Sequence, residues 1–196
     1  LASGTTGDFN VAVGGAALGS INTGNDNTAI GACAMNVNTS GYQNVAVGRD
    51  ALIANTTGYS NTAVGRASLA VNTTGCCNVS VGRASLDANI DGDFNTAVGT
   101  NSLSGNTTAD SNTAIGYLAM NANTTGAQNV AMGICALTAN TTAANNTAVG
   151  RRAMAANTEG TANTSLGANA LCANTTADNN TAIGFESLKS NTTGTH

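Results

Sequence analysis

The sequence predicts an all-β protein, a parallel β-solenoid (β-roll) of about eleven 17-residue coils. Residues 10–196 divide into eleven consecutive 17-residue units without insertion or deletion, and every unit has Asn at position 1 and Gly at position 5. β-Branched residues and Asn-Thr or Gly turn signals recur in each unit. A 17-residue period is too short for paired-helix repeats, which need about 33 residues or more. Each unit is therefore expected to wind once and to pair its strand in parallel with neighbouring coils about 4.8 Å away, giving a rod on the order of 55 Å long.

The repeat also predicts the domain organisation. Residues 1–9 supply the rear part of one further coil, and no linker or change of composition interrupts residues 10–196. We therefore expect a single β-solenoid domain over 1–196. The net charge of −4 argues against a nucleic-acid partner, which would need a basic surface. No apolar run approaches the roughly 18 residues of a membrane span.

Two asparagine columns are predicted to form ladders along the rod. Position 12 is Asn in ten of the eleven units, with Ile21 as the exception. Stacked amides can bond to their copies in adjacent coils and to backbone groups of turns. The predicted structural ladder at position 1 consists of Asn10, Asn27, Asn44, Asn61, Asn78, Asn95, Asn112, Asn129, Asn146, Asn163 and Asn180.

The glycine at position 5 directly follows the predicted strand, so this column is expected to turn the chain at the end of each strand. The predicted turn glycines are Gly14, Gly31, Gly48, Gly65, Gly82, Gly99, Gly116, Gly133, Gly150, Gly167 and Gly184.

Alternation along the strand suggests which columns face inward. Positions 2, 4 and 9 carry the larger aliphatic or β-branched residues, so they are predicted to line the interior, with positions 3 and 8 outside. The Thr-Thr pair at positions 13 and 14 is predicted to point inward at 13, where Ile90 occurs once, and outward at 14, where Asp91 and Glu159 occur.

Positions 3 and 8 are Ala or Ser in all eleven units. Tight corners that admit only small residues would explain this restriction. The other interpretation is a smooth surface against which a second copy of the chain packs. The candidate interface residues are Ala46, Ala51, Ala63, Ser68, Ala114 and Ala119.

The repeat resembles known fibrous proteins. Residues 61–65 (NTAVG) and 112–116 (NTAIG) resemble repeats in the head domains of trimeric autotransporter adhesins, and similar NTAVG and NTTG repeats resemble those of phage tail-fibre-type proteins. The resemblance covers essentially the whole chain. It implies a left-handed parallel β-roll, three associated copies and adhesion through the surface. The period of 17 is longer than the family's usual unit, and the sequence has neither its coiled-coil stalk nor its membrane anchor.

The five cysteines occupy variable turn positions, so exposed thiols that cross-link neighbouring chains are one interpretation, and replacement of other small residues is the alternative. Long-range pairs within the chain are excluded by coil spacing, because a disulfide needs Cα atoms within about 7 Å. Only the adjacent pair could close a ring. The candidate interchain thiols are Cys33, Cys76, Cys77, Cys135 and Cys172.

Catalytic and metal chemistry find no support in the sequence. No Cys/His cluster has metal-ligand spacing, and His196 is the only histidine, so it lacks a catalytic partner. We therefore expect no enzyme activity and no cofactor. Position 6 carries arginine in three successive coils, which would form either a stripe that binds an anionic glycan or a row of solvated side chains: Arg49, Arg66 and Arg83.

These observations favour a structural extracellular fibre or adhesin module at a cell or virion surface. Its partner would be another copy of itself, in a trimer or filament, and its target a surface or a glycan. Both chain ends have ordinary mid-array sequence without a polar cap, which indicates end-to-end addition as well. The alternative is an ice-binding β-solenoid whose Thr columns repeat about every 4.8 Å. Against it, Asp91 and Glu159 interrupt the predicted outward Thr column.

Overall fold

A computed structural model describes residues 6–20 and 23–194 of the chain. Ile21, His196 and the first five residues of the partial coil lie outside the described residues. Every regular element in the described part is a strand of three residues, followed by a run of turns. The strands are β1 Val11–Val13, β2 Thr28–Ile30, β3 Val45–Val47, β4 Thr62–Val64, β5 Val79–Val81, β6 Thr96–Val98, β7 Thr113–Ile115, β8 Val130–Met132, β9 Thr147–Val149, β10 Thr164–Leu166 and β11 Thr181–Ile183.

The eleven strands form one parallel sheet in which neighbours in sequence are neighbours in space. Residues 17 apart are paired, as Ala97 of β6 is with Ala114 of β7. Backbone bonds of 2.8 Å flank this pair, from Thr96 N to Asn112 O and from Gly116 N to Val98 O. The predicted parallel β-solenoid with one coil per 17 residues is thereby confirmed.

The core of the rod contains one large side chain per coil. Position 9 is Leu or Met and is fully buried from Leu18 to Leu171. Positions 3 and 8 also lie inside, so each coil adds two Ala or Ser residues to this central column. The apolar part of the interior is therefore a single column of Leu or Met with small residues around it.

The predicted orientation of the strand was wrong. Its middle residue, at position 3, points inward, whereas positions 2 and 4 are half-buried or exposed. The predicted small-residue interface at positions 3 and 8 is wrong for the same reason. These residues have no exposed surface with which to contact another chain. All six candidates are fully buried in the chain's own core: Ala46, Ala51, Ala63, Ser68, Ala114 and Ala119.

The width of the coil explains the small residues. Positions 3 and 8 face each other across the interior, because Ser68 Oγ lies 2.7 Å from Ser80 Oγ and 2.9 Å from the Ser80 carbonyl. Ser102 Oγ similarly donates to the Ala114 carbonyl at 2.7 Å. Two backbones this close leave room for a methyl or hydroxymethyl group but not for Val or Ile. Each Ser named here bonds its hydroxyl to backbone, as burial requires.

Position 13 also differs from its predicted inward orientation. The Thr side chains of this column are half-buried or exposed, and Ile90 is 42% exposed. Their hydroxyls donate to the carbonyl of the same position in the next coil, as Thr56 Oγ1 does to Thr73 O at 2.9 Å. The column is therefore a ladder of hydrogen bonds that runs along the rod. Position 14 is exposed, as predicted.

Tight winding requires left-handed backbone at residues other than glycine. In the coil that starts at Asn95, φ is +52° at Asn101, +53° at Leu103 and +60° at Ser111. Positions 7, 9 and 17 repeat this conformation in the other coils. An L-residue in this region costs about 1–2 kcal/mol. The bonds between coils must offset that strain.

The inward direction of position 3 can be tested with a pair of neighbouring substitutions. Ala97→Leu places extra volume in the narrow core, so we expect the free energy of unfolding to fall by about 1–3 kcal/mol. Val98→Ala removes methyl groups from a partly solvated side chain and should cost less than about 1 kcal/mol. Urea unfolding followed by circular dichroism measures both. A larger loss for Val98→Ala would mean that the strand faces the other way.

Candidate functional surface

The outward side chains of positions 2 and 4 form one continuous surface, which we call the outer sheet face. Two columns of eleven residues run along the rod on the exposed side of the parallel sheet, each strand contributing its first and third residue. The face consists of Val11, Val13, Thr28, Ile30, Val45, Val47, Thr62, Val64, Val79, Val81, Thr96, Val98, Thr113, Ile115, Val130, Met132, Thr147, Val149, Thr164, Leu166, Thr181 and Ile183.

No charged residue occurs in the outer sheet face. Position 2 is always Val or Thr, and position 4 is always Val, Ile, Met or Leu. All ten acidic and six basic residues of the chain fall at positions 6, 7, 10, 14, 16 and 17. The rod thus has an uncharged, mainly aliphatic face about 10 Å wide, the length of a three-residue strand. Charge occurs only in those six other columns.

Seven of the eleven residues at position 2 are Thr, and the other four are Val. Among the described residues, the Thr hydroxyls of this column show no hydrogen bond within the chain, in contrast with the bonded hydroxyls of position 13. They are available to water or to another molecule. Val and Thr have similar shapes, so the contour of the column is maintained whichever residue is present.

Behind this face, the two asparagine columns hold neighbouring coils in register. At position 1, Asn112 Oδ1 accepts the backbone N–H of Asn129 at 2.9 Å, and its Nδ2 donates to the Gly126 carbonyl at 2.9 Å. At position 12, Asn123 Nδ2 donates to Asn106 Oδ1 at 3.0 Å and to the same Gly126 carbonyl at 2.9 Å. Both ladders therefore meet at the position 15 carbonyl, which the sequence alone did not indicate.

The position 1 ladder is almost completely buried. From Asn27 to Asn163 its members have no solvent exposure, while Asn10 in the first coil is half-buried. These asparagines satisfy backbone groups inside the rod, so they support the outer sheet face and do not contact a ligand.

The predicted turn glycines stand at the corner between the sheet and the turns. All eleven have φ between +118° and +143°, a region that side chains rarely adopt. At Gly99, an added Cβ would lie 2.6 Å from the Gly116 carbonyl oxygen of the next coil. Both the backbone conformation and the close stacking of coils therefore require glycine here.

The cysteines have different environments, although all five are free thiols. Cys33, Cys77, Cys135 and Cys172 are partly exposed. The prediction of an exposed interchain thiol is wrong for Cys76, which is buried. Burial, together with hydrogen bonds to Asp93 and Cys77, raises the pKa of the Cys76 thiol to about 11.

Cys76 belongs to a column at position 16 in which aromatic and acidic residues stack. The rings of Tyr42 and Tyr59 are parallel, with centroids 4.9 Å apart. A hydrogen bond with Cys76 raises the pKa of Tyr59 to about 12. On the other side, Asp93 Oδ1 accepts the Cys76 backbone N–H at 2.7 Å, and Asp110 Oδ1 accepts the Asp93 N–H at 2.7 Å. Carboxylates in this column therefore satisfy backbone donors of the preceding coil.

The predicted arginine stripe lies at position 6, two residues after each strand. Arg49, Arg66 and Arg83 are exposed in successive coils. Arg49 Nε lies 3.1 Å from Asp50 Oδ2, whereas the described part of the chain has no carboxylate paired with the other two. The stripe borders the outer sheet face over three coils.

No cluster of three or more His, Cys, Asp or Glu residues within 6–20 and 23–194 could hold a metal ion. In the same residues, no helix is long and apolar enough to cross a membrane. No protein-family model matches the chain, and no curated protein or solved structure matches it either.

The size of the residues in each column would have identified the outer sheet face. Position 3 is uniformly small, as a confined interior demands, whereas position 4 varies from Val to Met without charge. The prediction from hydrophobicity places the larger residues in the core, because apolar side chains are ordinarily the buried ones. In a coil this narrow, available volume decides the orientation instead.

The asparagine ladder can be tested at its centre. Asn112→Ala leaves the buried Asn129 N–H without its acceptor and removes one donor from the Gly126 carbonyl, so we expect a loss of about 2–4 kcal/mol in stability. Asn121→Ala is the control, because its amide bonds to Ser104 Oγ in a half-buried position at the surface. That variant should lose about 1 kcal/mol or less. Equal losses in denaturant unfolding would contradict a special role for the ladder.

Proposed function

We propose that this chain is a non-enzymatic structural rod that associates with another copy of itself through the outer sheet face. The absence of charge from all 22 positions of that face supports this proposal most strongly. Parallel sheets occur almost only where both of their faces are covered. Here the chain covers the inner face with its own turns and leaves the outer one in solvent.

The dimensions of the face suit a second rod. Eleven strands at about 4.8 Å make a strip on the order of 48 Å by 10 Å, roughly 500 Å² on each copy. Pairing two such strips buries about 1,000 Å², the lower limit for a specific interface, before flanking side chains are included. A long and narrow strip matches an equally long and narrow partner with the same spacing.

Burial of apolar surface also favours association through the outer sheet face. A coil contributes only one large side chain to its own core, so the isolated rod buries little large aliphatic surface for its length. Covering the Val, Ile and Thr methyl groups of the outer sheet face would add apolar burial in every coil. Such a self-associating rod fits a fibre or adhesin module outside the cell or on a virion surface, which is the role implied by the resemblance of its repeats.

Lysine substitutions in the middle of the face test this association. Val64→Lys combined with Val81→Lys places two charges where copies would meet, so we expect a single-chain mass by light scattering. The wild-type chain should show the mass of two or more copies. Thr100→Lys combined with Ala168→Lys is the control, because position 6 carries Arg in four other coils. It should associate like the wild type.

Circular dichroism must show the same β content in all three proteins. A wild-type chain that remains a monomer at millimolar concentration would overturn the proposal, as would a control variant that dissociates like the variant with lysines in the face.

Ice binding is a second candidate, favoured by the seven unpaired Thr hydroxyls at position 2. This candidate would use the threonines of position 2 in place of those at positions 13 and 14, and no Asp or Glu interrupts the position 2 column. Thr and Val methyl groups repeating every 4.8 Å or so could order water against an uncharged surface.

Thermal hysteresis distinguishes the two candidates. An ice-binding chain should depress the freezing point as a monomer, and the Val64→Lys, Val81→Lys variant should lose that activity while the Thr100→Lys, Ala168→Lys control retains it. Wild-type protein without hysteresis or ice shaping at micromolar concentration would exclude this function.

A further inference from the structure

A cleft separate from the outer sheet face contains two thiols and a guanidinium. It lies between the position 7 and position 10 columns and has a volume of about 280 Å³. Its lining residues are Cys135, Thr138, Arg152, Ala155, Ala156 and Cys172. Neither the asparagine ladders nor the proposed association uses these side chains.

The backbone holds Cys135 and Arg152 next to each other. They occupy position 7 of successive coils, so their Cα atoms are separated by about one strand spacing, 4.8 Å. Each N–H is bonded to the coil before it: Cys135 N donates to Tyr117 O at 3.0 Å, and Arg152 N donates to Ile134 O at 2.9 Å. In the described residues no carboxylate pairs with Arg152, so its positive charge in the cleft is not neutralised.

The two thiols of the cleft cannot join each other. Cys135 and Cys172 lie two coils apart, which separates them by about 9.6 Å along the rod. A disulfide requires Cα atoms within about 7 Å. Both cysteines are free and partly exposed, so each is accessible to a small molecule.

We propose that the cleft is a modification site where Cys135 forms a mixed disulfide with an anionic low-molecular-weight disulfide, whose carboxylate Arg152 binds. The Cys135 thiol loses its proton to solvent, and its sulfur attacks one sulfur of the reagent. A new S–S bond forms, the reagent's S–S bond breaks, and the other half leaves as a thiolate. The guanidinium provides the planar donor set that suits a carboxylate.

The chain contains a natural comparison for this site. Cys33 occupies the same position 7, with φ of +59° against +55° at Cys135, and is also partly exposed. Its neighbour in the next coil is Asp50 instead of arginine, and Asp50 is paired with Arg49. The two thiols therefore share a backbone setting and differ in the charge beside them.

The test compares an anionic disulfide, dithiobis(nitrobenzoate), with a cationic one, cystamine. Native protein is treated with each, and modification rates at Cys135 and Cys33 are read by site-resolved mass spectrometry. We expect the anionic-to-cationic rate ratio at Cys135 to exceed that at Cys33 by about tenfold, because a charge at this distance changes local reagent concentration several-fold. Added salt should reduce the difference.

Two matched variants assign the effect to Arg152. Arg152→Asn should lower the rate ratio at Cys135 about fivefold and leave Cys33 unchanged. Asp50→Asn, at the same repeat position, should leave Cys135 unchanged. Both should fold, because asparagine already occupies position 7 as Asn101 and Asn169 with positive φ. An unchanged ratio at Cys135 in Arg152→Asn, or an equal anionic preference at Cys33, would overturn the proposal.

Discussion

The narrow interior of the coil is the constraint on which the rest of this structure depends. Beside the two buried Asn side chains, the seventeen residues of a coil enclose an apolar space that admits one Leu or Met and two Ala or Ser side chains. That limit turns the small middle residue of every strand inward and leaves its two larger neighbours outside. It also brings opposite walls within hydrogen-bonding distance, as the 2.7 Å contact between Ser68 and Ser80 hydroxyls shows. The outer sheet face is thus a direct result of how little the core can hold.

A core this small cannot stabilise the rod alone. Ladders of polar side chains that hydrogen-bond from coil to coil supply the rest of the stability. Two asparagine columns and one threonine column bond coil to coil, and both asparagine columns converge on the position 15 carbonyl. Buried amides with satisfied partners specify register, since a shift of one residue would leave donors and acceptors unpaired. The same bonds offset the strain of three left-handed residues in each coil, including the buried Leu103.

The sequence predicted the features that follow from the chemistry of single residues. It did not predict the features that depend on the width of the coil. The invariant Asn and Gly columns indicated a stacked coil, and the sheet has the predicted order and register. The strand's direction was missed because Val and Ile are ordinarily the buried residues, and the width of the coil cannot be obtained from composition. Left-handed backbone at positions 7, 9 and 17 gave no signal either, because position 9 holds only Leu or Met and positions 7 and 17 hold Cys as well as Asn. That Cys135, Cys172 and Arg152 lie close together was visible only in the structure.

Strand propensity alone does not explain the composition of the outer sheet face. A preference for β-branched residues accounts for Val, Ile and Thr, but Met132 and Leu166 also occur there while lysine, arginine and glutamate do not. On a sheet with one solvated face, the outward residues are usually polar. Position 6, only two residues beyond position 4, accepts arginine in four coils. Charge is therefore excluded from the face itself and not from that side of the rod, as expected of a surface that meets another uncharged surface.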